Sequence, residues 1–229
     1  DQIPQHVAKH YDMPQFQPRI GDHRLVLEGG SIDTNGAGVL LTTEECLLSE
    51  VQQRNPGLGG EEETRKHLEQ AFHDYLGIDQ TIWLHRGCAG DDTHGHVDDI
   101  TRFVGENRIL TTVEPNTRDE NHLPLAENLE RLRSARNLSG PDKGKPFGIV
   151  ELPMPSPVTF EGQRLPASYA NFYIANNLVL VPTFNDPNDR HALNIIASCF
   201  PDRDIVGIHA VDLVWGLGTL HCLSQQEPA

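Results

Sequence analysis

Basic residues are scarce. The chain carries 18 Lys and Arg against 33 Asp and Glu, a net charge of −15 with His counted neutral. That balance excludes a nucleic-acid backbone as the natural partner, because phosphate binding needs clustered Lys and Arg. Long apolar runs are missing too: the longest, such as residues 178–181, are strand-sized and far short of a membrane span. No signal-peptide pattern opens the chain. Cysteines number 4, at Cys46, Cys88, Cys199 and Cys222. None forms a CxxC pair, and the spacings fit no zinc finger. A chain of 229 residues needs no disulfide staples, so reduced thiols in a cytoplasmic protein are the expectation. Cys46, Cys88 and Cys199 read as buried small hydrophobes. Cys222 follows a Gly-rich turn, where a thiol is exposed and reactive.

With 37% hydrophobic residues the chain is too apolar for disorder, and its length suits one domain, residues 1–229. It starts at Asp1 within an amphipathic stretch and reads as a piece of a longer chain. Strand-like and helix-like segments alternate. Residues 24–32 and 38–43 predict strands, 61–76 a helix stopped by Gly77, and 81–84 a third strand. The order recurs with strands at 97–104 and 108–113, a helix at 123–136 and a strand at 147–152. A third round follows, with strands at 170–175 and 178–184, a helix at 189–199 and a strand at 205–209. The strand–strand–helix–strand unit thus appears three times at a period of about 70 residues, a supersecondary repeat of α/β class. Residues 219–224 predict the first strand of a fourth unit.

The densest polar cluster is Gly90-Asp91-Asp92-Thr93-His94-Gly95-His96-Val97-Asp98-Asp99. Its position beside a Gly turn and a buried strand favours function over a solvated acidic loop. Two kinds of chemistry fit. His94, His96 and Asp98 offer imidazoles and a carboxylate suited to zinc or iron. That run resembles the HxHxDH pattern of metallo-β-lactamase-like hydrolases, with Asp99 where the pattern has His; His122 and His209 are distant candidates for further ligands. The metal-free alternative uses His96 as acid and base beside carboxylates, with Cys222 as nucleophile. On a strand start, His96 and Asp98 share a face. His221, next to Cys222, points to the opposite face of a strand and is a poor partner. Glu28 ends an apolar strand before two glycines. Glu28 and His96 hold matching positions in consecutive units, and Cys222 the same position in the fourth, so packing about a pseudo-axis brings the three together.

These residues sit in blocks that match a known family. The blocks are Leu27-Glu28-Gly29-Gly30-Ser31, Thr42-Thr43-Glu44-Glu45-Cys46-Leu47-Leu48, Gly90-Asp91-Asp92-Thr93 with Gly95-His96-Val97-Asp98, Asn171-Phe172-Tyr173-Ile174-Ala175-Asn176, Val181-Pro182-Thr183-Phe184 with Asp186-Pro187-Asn188-Asp189, and His221-Cys222-Leu223-Ser224-Gln225-Gln226. Through them the chain resembles the agmatine deiminase branch of the guanidino-group-modifying (pentein) superfamily, related to bacterial peptidyl-arginine deiminases. The resemblance covers essentially the whole chain. It implies an α/β-propeller of ββαβ units around a pseudo-five-fold axis, of which about three units plus a strand are present. It assigns Cys222 as nucleophile, His96 as general acid/base, Glu28 and Asp98 as catalytic and substrate-orienting carboxylates, and Asp92 as a further substrate contact. It implies no metal and no cofactor.

The activity implied is deimination of a small cationic guanidino substrate, agmatine first, to N-carbamoylputrescine and ammonia, as in putrescine biosynthesis and polyamine metabolism. Free arginine and peptidyl-arginine are alternative substrates, and a homo-oligomer is compatible. The chain departs from the family at His94 and at Gly216-Leu217-Gly218-Thr219, where glycines are usual. The resemblance also draws a guanidinium-clamping Asp and an aromatic residue from an N-terminal portion absent from these residues. Alone, they are therefore expected to show little or no activity. The remaining alternatives are a metallohydrolase built on His94, His96 and Asp98, and an inactive truncated deiminase.

Overall fold

The computed structural model describes residues 2–52 and 54–226. After α1 (Ile3–His10) comes a short hairpin of β1 (Arg19–Ile20) and β2 (His23–Arg24). The first unit follows, with β3 (Asp33–Thr34), β4 (Val39–Thr43), α2 (Glu44–Leu47), α3 (Glu61–Leu76) and β5 (Gln80–Leu84). The second holds β6 (Thr101–Gly105), β7 (Arg108–Val113), α4 (His122–Ser134) and β8 (Gly148–Pro153). A hairpin of β9 (Thr159–Phe160) and β10 (Gln163–Arg164) leads to the third, with β11 (Tyr173–Ile174), β12 (Leu178–Thr183), α5 (Asp189–Cys199) and β13 (Asp204–His209).

Each unit forms one three-stranded sheet in chain order, its middle strand antiparallel to the first and parallel to the last. A parallel pair needs a long crossover, and the helix of each unit supplies it. The middle strands of the first two units are covered on both faces, with period-2 alternation dividing their side chains between neighbouring cores. On β7, Ile109 packs with Val39, Leu41, Leu84 and Leu125, while Leu110 packs with Leu152, Val179 and Val181. The helices dock as their periodicity predicts. Leu68, Ala71 and Phe72 of α3, Leu125, Leu129 and Leu132 of α4, and Ala192 and Ile196 of α5 are buried. Three glutamates open α3 at its positive end, and Gly77 closes it at φ 67°, donating to His73 and Phe72 carbonyls.

Two polar ties reach between elements. Glu44 of α2 binds Arg65 of α3 at 2.8 Å, Arg131 of α4 at 3.0 Å and His85 at 3.1 Å. Burial alone would raise its carboxyl, yet these partners hold it down at about 2. Arg102 of β6 joins all three units. Its Nε donates to Asp33 Oδ1 at 2.8 Å in the first unit, and its Nη1 to the Phe172 and Ala170 carbonyls at 3.0 and 3.3 Å in the third. Its guanidinium lies 4.9 Å from the Phe172 ring centre.

The first strand of each unit is shorter than the sequence predicts. Residues 24–32 are not one strand. After β2 they run extended to Glu28, turn through a 3-10 helix at Gly29–Ser31, and pair only at β3. Asn55 replaces a partner strand here, accepting from Val26 N at 2.8 Å and donating to Val26 O at 2.9 Å. The strand predicted over 97–104 likewise begins with a 3-10 helix, Val97–Asp99. Of residues 170–175, only Tyr173 and Ile174 pair. Residues 219–224 form no strand; they close a turn, with Leu223 N donating to Thr219 O and Ser224 N to His221 O. Among the described residues no helix is long and apolar enough to cross a membrane.

Candidate active site

Glu28 and His96 do occupy matching positions. Each immediately precedes the 3-10 helix that leads into the first strand of its unit. The two loops touch at Gly30. A Cβ there would lie 2.5 Å from His96 Nδ1 and 2.8 and 2.9 Å from the Asp98 carboxylate oxygens, so only glycine lets the loops approach. Asp91 shapes the second loop. Its Oδ1 accepts from Thr93 N at 2.8 Å, and its Oδ2 from Gly95 N and His96 N at 2.9 and 3.0 Å. His94 sits within this wrap at φ 56°, a left-handed conformation that His tolerates better than most residues.

The third component is the turn bearing His221 and Cys222, and Asn171 holds it. The Asn171 side-chain oxygen accepts from Thr219 Oγ1 at 2.8 Å, His221 N at 3.1 Å, Thr219 N at 3.2 Å and Cys222 N at 3.3 Å. Its amide nitrogen faces Asp99 Oδ1 at 2.9 Å, and Asp98 Oδ2 and Cys222 Sγ at 3.1 Å each. Before the turn, Leu217 takes φ 63°, a conformation that costs a non-glycine residue about 1–2 kcal/mol. Gly218 has no room for a side chain: its Cβ would meet Cys222 Cβ at 2.6 Å.

A cavity of about 390 Å³ opens over these loops, bordered by Glu28, Asp92, His96, His221 and Cys222. Asp98 lies fully buried beside it. Its Oδ2 accepts from His221 Nδ1 at 2.6 Å and faces the Cys222 thiol at 3.4 Å, whereas its Oδ1 is buried without a partner among the described residues. Glu28 Oε2 lies 2.8 Å from His96 Nε2 and 2.8 Å from Arg54 Nη2.

The ionisation pattern follows from these contacts. Burial works to raise Asp98, but the His221 bond and the charges of His221, Arg102 and His96 hold its carboxyl below the usual range. Burial opposes Glu28 as well, and His96 and Arg54 prevail to lower it. Asp99, fully enclosed beside Asp98 and Asp91, is pushed well above the ordinary carboxylate range. Burial and the adjacent Asp99 and Asp98 push the Cys222 thiol up, against the Asn171 hydrogen bond that favours its thiolate.

A stability prediction follows from Asp99. Its folded pKa is raised, so the folded state keeps a proton that the unfolded chain releases above about pH 4. Its burial therefore costs nothing at low pH and costs progressively more as pH rises towards the folded value. In Asp99→Asn the amide oxygen still accepts from Asn171 but cannot ionise. Thermal melts should place this variant a few degrees above the parent chain at pH 7–8, with the gap closing near pH 4. A gap independent of pH would contradict the assignment.

The structure thus gathers Cys222, His96, Glu28, Asp98 and Asp92 around one place. It does not gather the proposed metal trio. Among the described residues, the ligand-capable groups lying within 4.8 Å of one another are Glu28–Cys46–His96 and Asp98–Asp99–Cys222, and His94 joins neither. His122 is used elsewhere, its Nδ1 on the Glu114 carbonyl at 2.7 Å, and His209 ends β13. Cys46, Cys88 and Cys199 are buried free thiols and Cys222 is an exposed residue, as expected, though its Sγ faces inward onto Asn171 and the buried Asp98. His221 is a correction: in a turn rather than a strand it reaches Asp98 from beside Cys222. Arg54 escaped the sequence reading altogether, and Asp99 entered it only as a departure from a metal-binding pattern, not as a buried neighbour of the thiol. Trp215 packs edge-on against Phe160 and does not border the cavity.

Comparison with known proteins points the same way. The family model for Porphyromonas-type peptidyl-arginine deiminase matches residues 1–228. Agmatine deiminase of Pseudomonas putida is 34% identical over 240 aligned residues, covering 97% of this chain and 62% of that protein. Among solved structures, agmatine deiminase of Enterococcus faecalis superposes with a TM-score of 0.87 at 31% identity, covering 99% of this chain and 63% of that one. A Cys-to-Ser variant of C. jejuni agmatine deiminase with substrate bound gives 0.83 at 30% identity, covering 96% and 60%. The chain spans about 60% of the length of the curated relatives it matches.

Proposed function

The chain belongs to the Porphyromonas-type peptidyl-arginine deiminase family, and on that premise we propose that its site hydrolyses a guanidino group, with agmatine the leading substrate. The observation that carries this reading is the pair of half-used carboxylates. Asp98 Oδ1 is buried with no partner, and Glu28 engages only through Oε2 among the described residues. A guanidinium is a flat, permanently charged fork of N–H donors, the partner that such oxygens lack. Cys222 and His96 border the same cavity.

In this reading the cation settles between Glu28 and Asp98, with Asp92 at the cavity rim. Its charge offsets the carboxylates that oppose ionisation of Cys222, so substrate binding favours the thiolate. Sγ attacks the guanidinium carbon and a C–S bond forms. One C–N bond breaks, and ammonia departs with a proton from His96. His96 then takes a proton from water, whose oxygen attacks the same carbon. The C–S bond breaks, the thiolate returns, and the product is a carbamoyl amine. Orientation by carboxylates supplies part of the rate, since the delocalised cation is a poor electrophile. The strongly acidic chain attracts such a substrate. Cores shared between neighbouring units favour residues 1–229 as a single, partial pentein domain, and four free thiols suit a cytoplasmic setting.

The test is an assay of this chain and of its full-length parent with agmatine, free arginine and a peptidyl-arginine, reading ammonia and the carbamoyl product. The reading expects agmatine to give the highest kcat/KM with the parent. A peptidyl-arginine preference would transfer the activity to the substrate of the family description, and no ammonia from any of the three would overturn it.

A further inference from the structure

We infer that Arg54 is a positioning residue for this site: it fixes the Glu28 carboxylate, ionised and turned onto His96, with its other oxygen free for the substrate cation. The inference rests on the proposed reading for its purpose but on separate contacts for its substance. Arg54 lies in the connection between α2 and α3, outside the segments that carry Glu28, His96 and Cys222. Its Nη2 sits 2.8 Å from Glu28 Oε2, the oxygen that His96 Nε2 also meets at 2.8 Å. The same Nη2 donates to Thr93 O at 3.2 Å, and Nη1 donates to Gln52 O at 2.6 Å. Its neighbours clip the same two loops: Gln52 donates to Asp92 O at 3.0 Å, and Asn55 brackets Val26. The connection therefore straddles the loop bearing Glu28 and the loop bearing His96, with a largely buried guanidinium at the junction.

The effect is both geometric and electrostatic. Two donors on Oε2 leave Glu28 one way to face, and the fixed positive charge favours its anion. The charged and titratable groups that face Glu28 are His96 from the second loop, Arg54 from the connection, and Cys46 from α2. Asp92 borders the same cavity, and Asp98 lies across Gly30. Cys46 does not compete for protons in the working range, since burial pushes its thiol up to about 12. Among the described residues, His96 and Arg54 are the basic groups bonded to Glu28, so the loss of Arg54 should register on Glu28 directly.

The experiment is a 13C titration of the glutamate side-chain carboxyls in the parent chain, Arg54→Ala and Arg54→Lys. Glu28 is assigned by the resonance missing in Glu28→Gln. The expected result is a midpoint raised by roughly one pH unit in Arg54→Ala, the scale of a lost neighbouring charge, and by less in Arg54→Lys. In the full-length protein, the acid limb of kcat/KM should move upward with it. If Arg54→Ala does not fold, the Lys variant decides, because it keeps the charge but not the two-nitrogen reach. Unchanged Glu28 midpoints in the folded variants, whatever their melting temperatures, would reduce Arg54 to a structural clip. The titration needs no turnover: a shifted midpoint in a chain inactive on every guanidino substrate would keep this inference and refute the deiminase reading.

Discussion

Cys222→Ser in the full-length protein should lose at least about 10⁴-fold in turnover, the scale seen when a covalent nucleophile is removed. It should still fold and still bind the cation. The fold survives because the replacement hydroxyl keeps the position of Sγ between Asn171 Nδ2 and Asp98 Oδ2. Binding survives because Glu28 and Asp98 are untouched. Turnover fails because an alcohol does not ionise beside two carboxylates, whereas a thiol does so once a guanidinium has offset them. Steady-state ammonia release measures the first effect, and calorimetric titration with agmatine the second. A serine variant retaining a tenth of parental turnover would exclude Cys222 as the nucleophile.

The second large effect falls on stability. Arg102→Met should cost about 3–5 kcal/mol, as expected when one partner of a buried ion pair is removed. The arithmetic is local. The change removes the charge partner of Asp33, which is mostly buried and keeps only the Phe103 N–H at 2.6 Å among the described residues, and leaves the Phe172 and Ala170 carbonyls without the Arg102 donor. For a chain of this size the loss corresponds to a drop on the order of 10 °C in Tm. Arg102→Lys should recover little of it, because an ammonium cannot face Asp33 and the third unit at once. Denaturant unfolding checks both variants. A loss under about 1 kcal/mol for Arg102→Met would mean that the units hold together through their apolar cores alone. The site depends on this tie too: Arg102 lies just beyond Asp98 and Asp99, and its acceptors Ala170 and Phe172 flank Asn171.

The repeat was legible in the sequence because each unit buries its middle strand and one helix face, and both leave a periodic apolar signal. Residues 189–199 match α5 at both ends for that reason. The equivalence of Glu28 and His96 was legible because it follows from the repeat. What escaped shares a cause. In the first two units the approaches to the first strands are 3-10 turns, set by contacts at Gly30 and Asn55 rather than by hydropathy, so alternation overextended them into strands. His221 was misjudged by the same rule, since it assumed a strand where Asn171 ties a turn from 48 to 51 residues away. Asn171 entered as the first residue of a matching block, which does not reveal that its amide faces the thiol on one side and the turn's N–H groups on the other. Arg54 carried no signal, being one arginine in a polar connection. His94, spaced well for a metal, is turned aside by the Asp91 loop.

The central claim, that sulfur at position 222 bonds to a guanidino carbon, is tested most directly by acid-quenching the full-length protein during turnover of agmatine and measuring its intact mass. The account predicts a species heavier by agmatine less ammonia, mapping to the peptide of Cys222 and absent from Cys222→Ser. Turnover with Cys222 unmodified at every quench time, or an adduct mapping to Cys46, would contradict it.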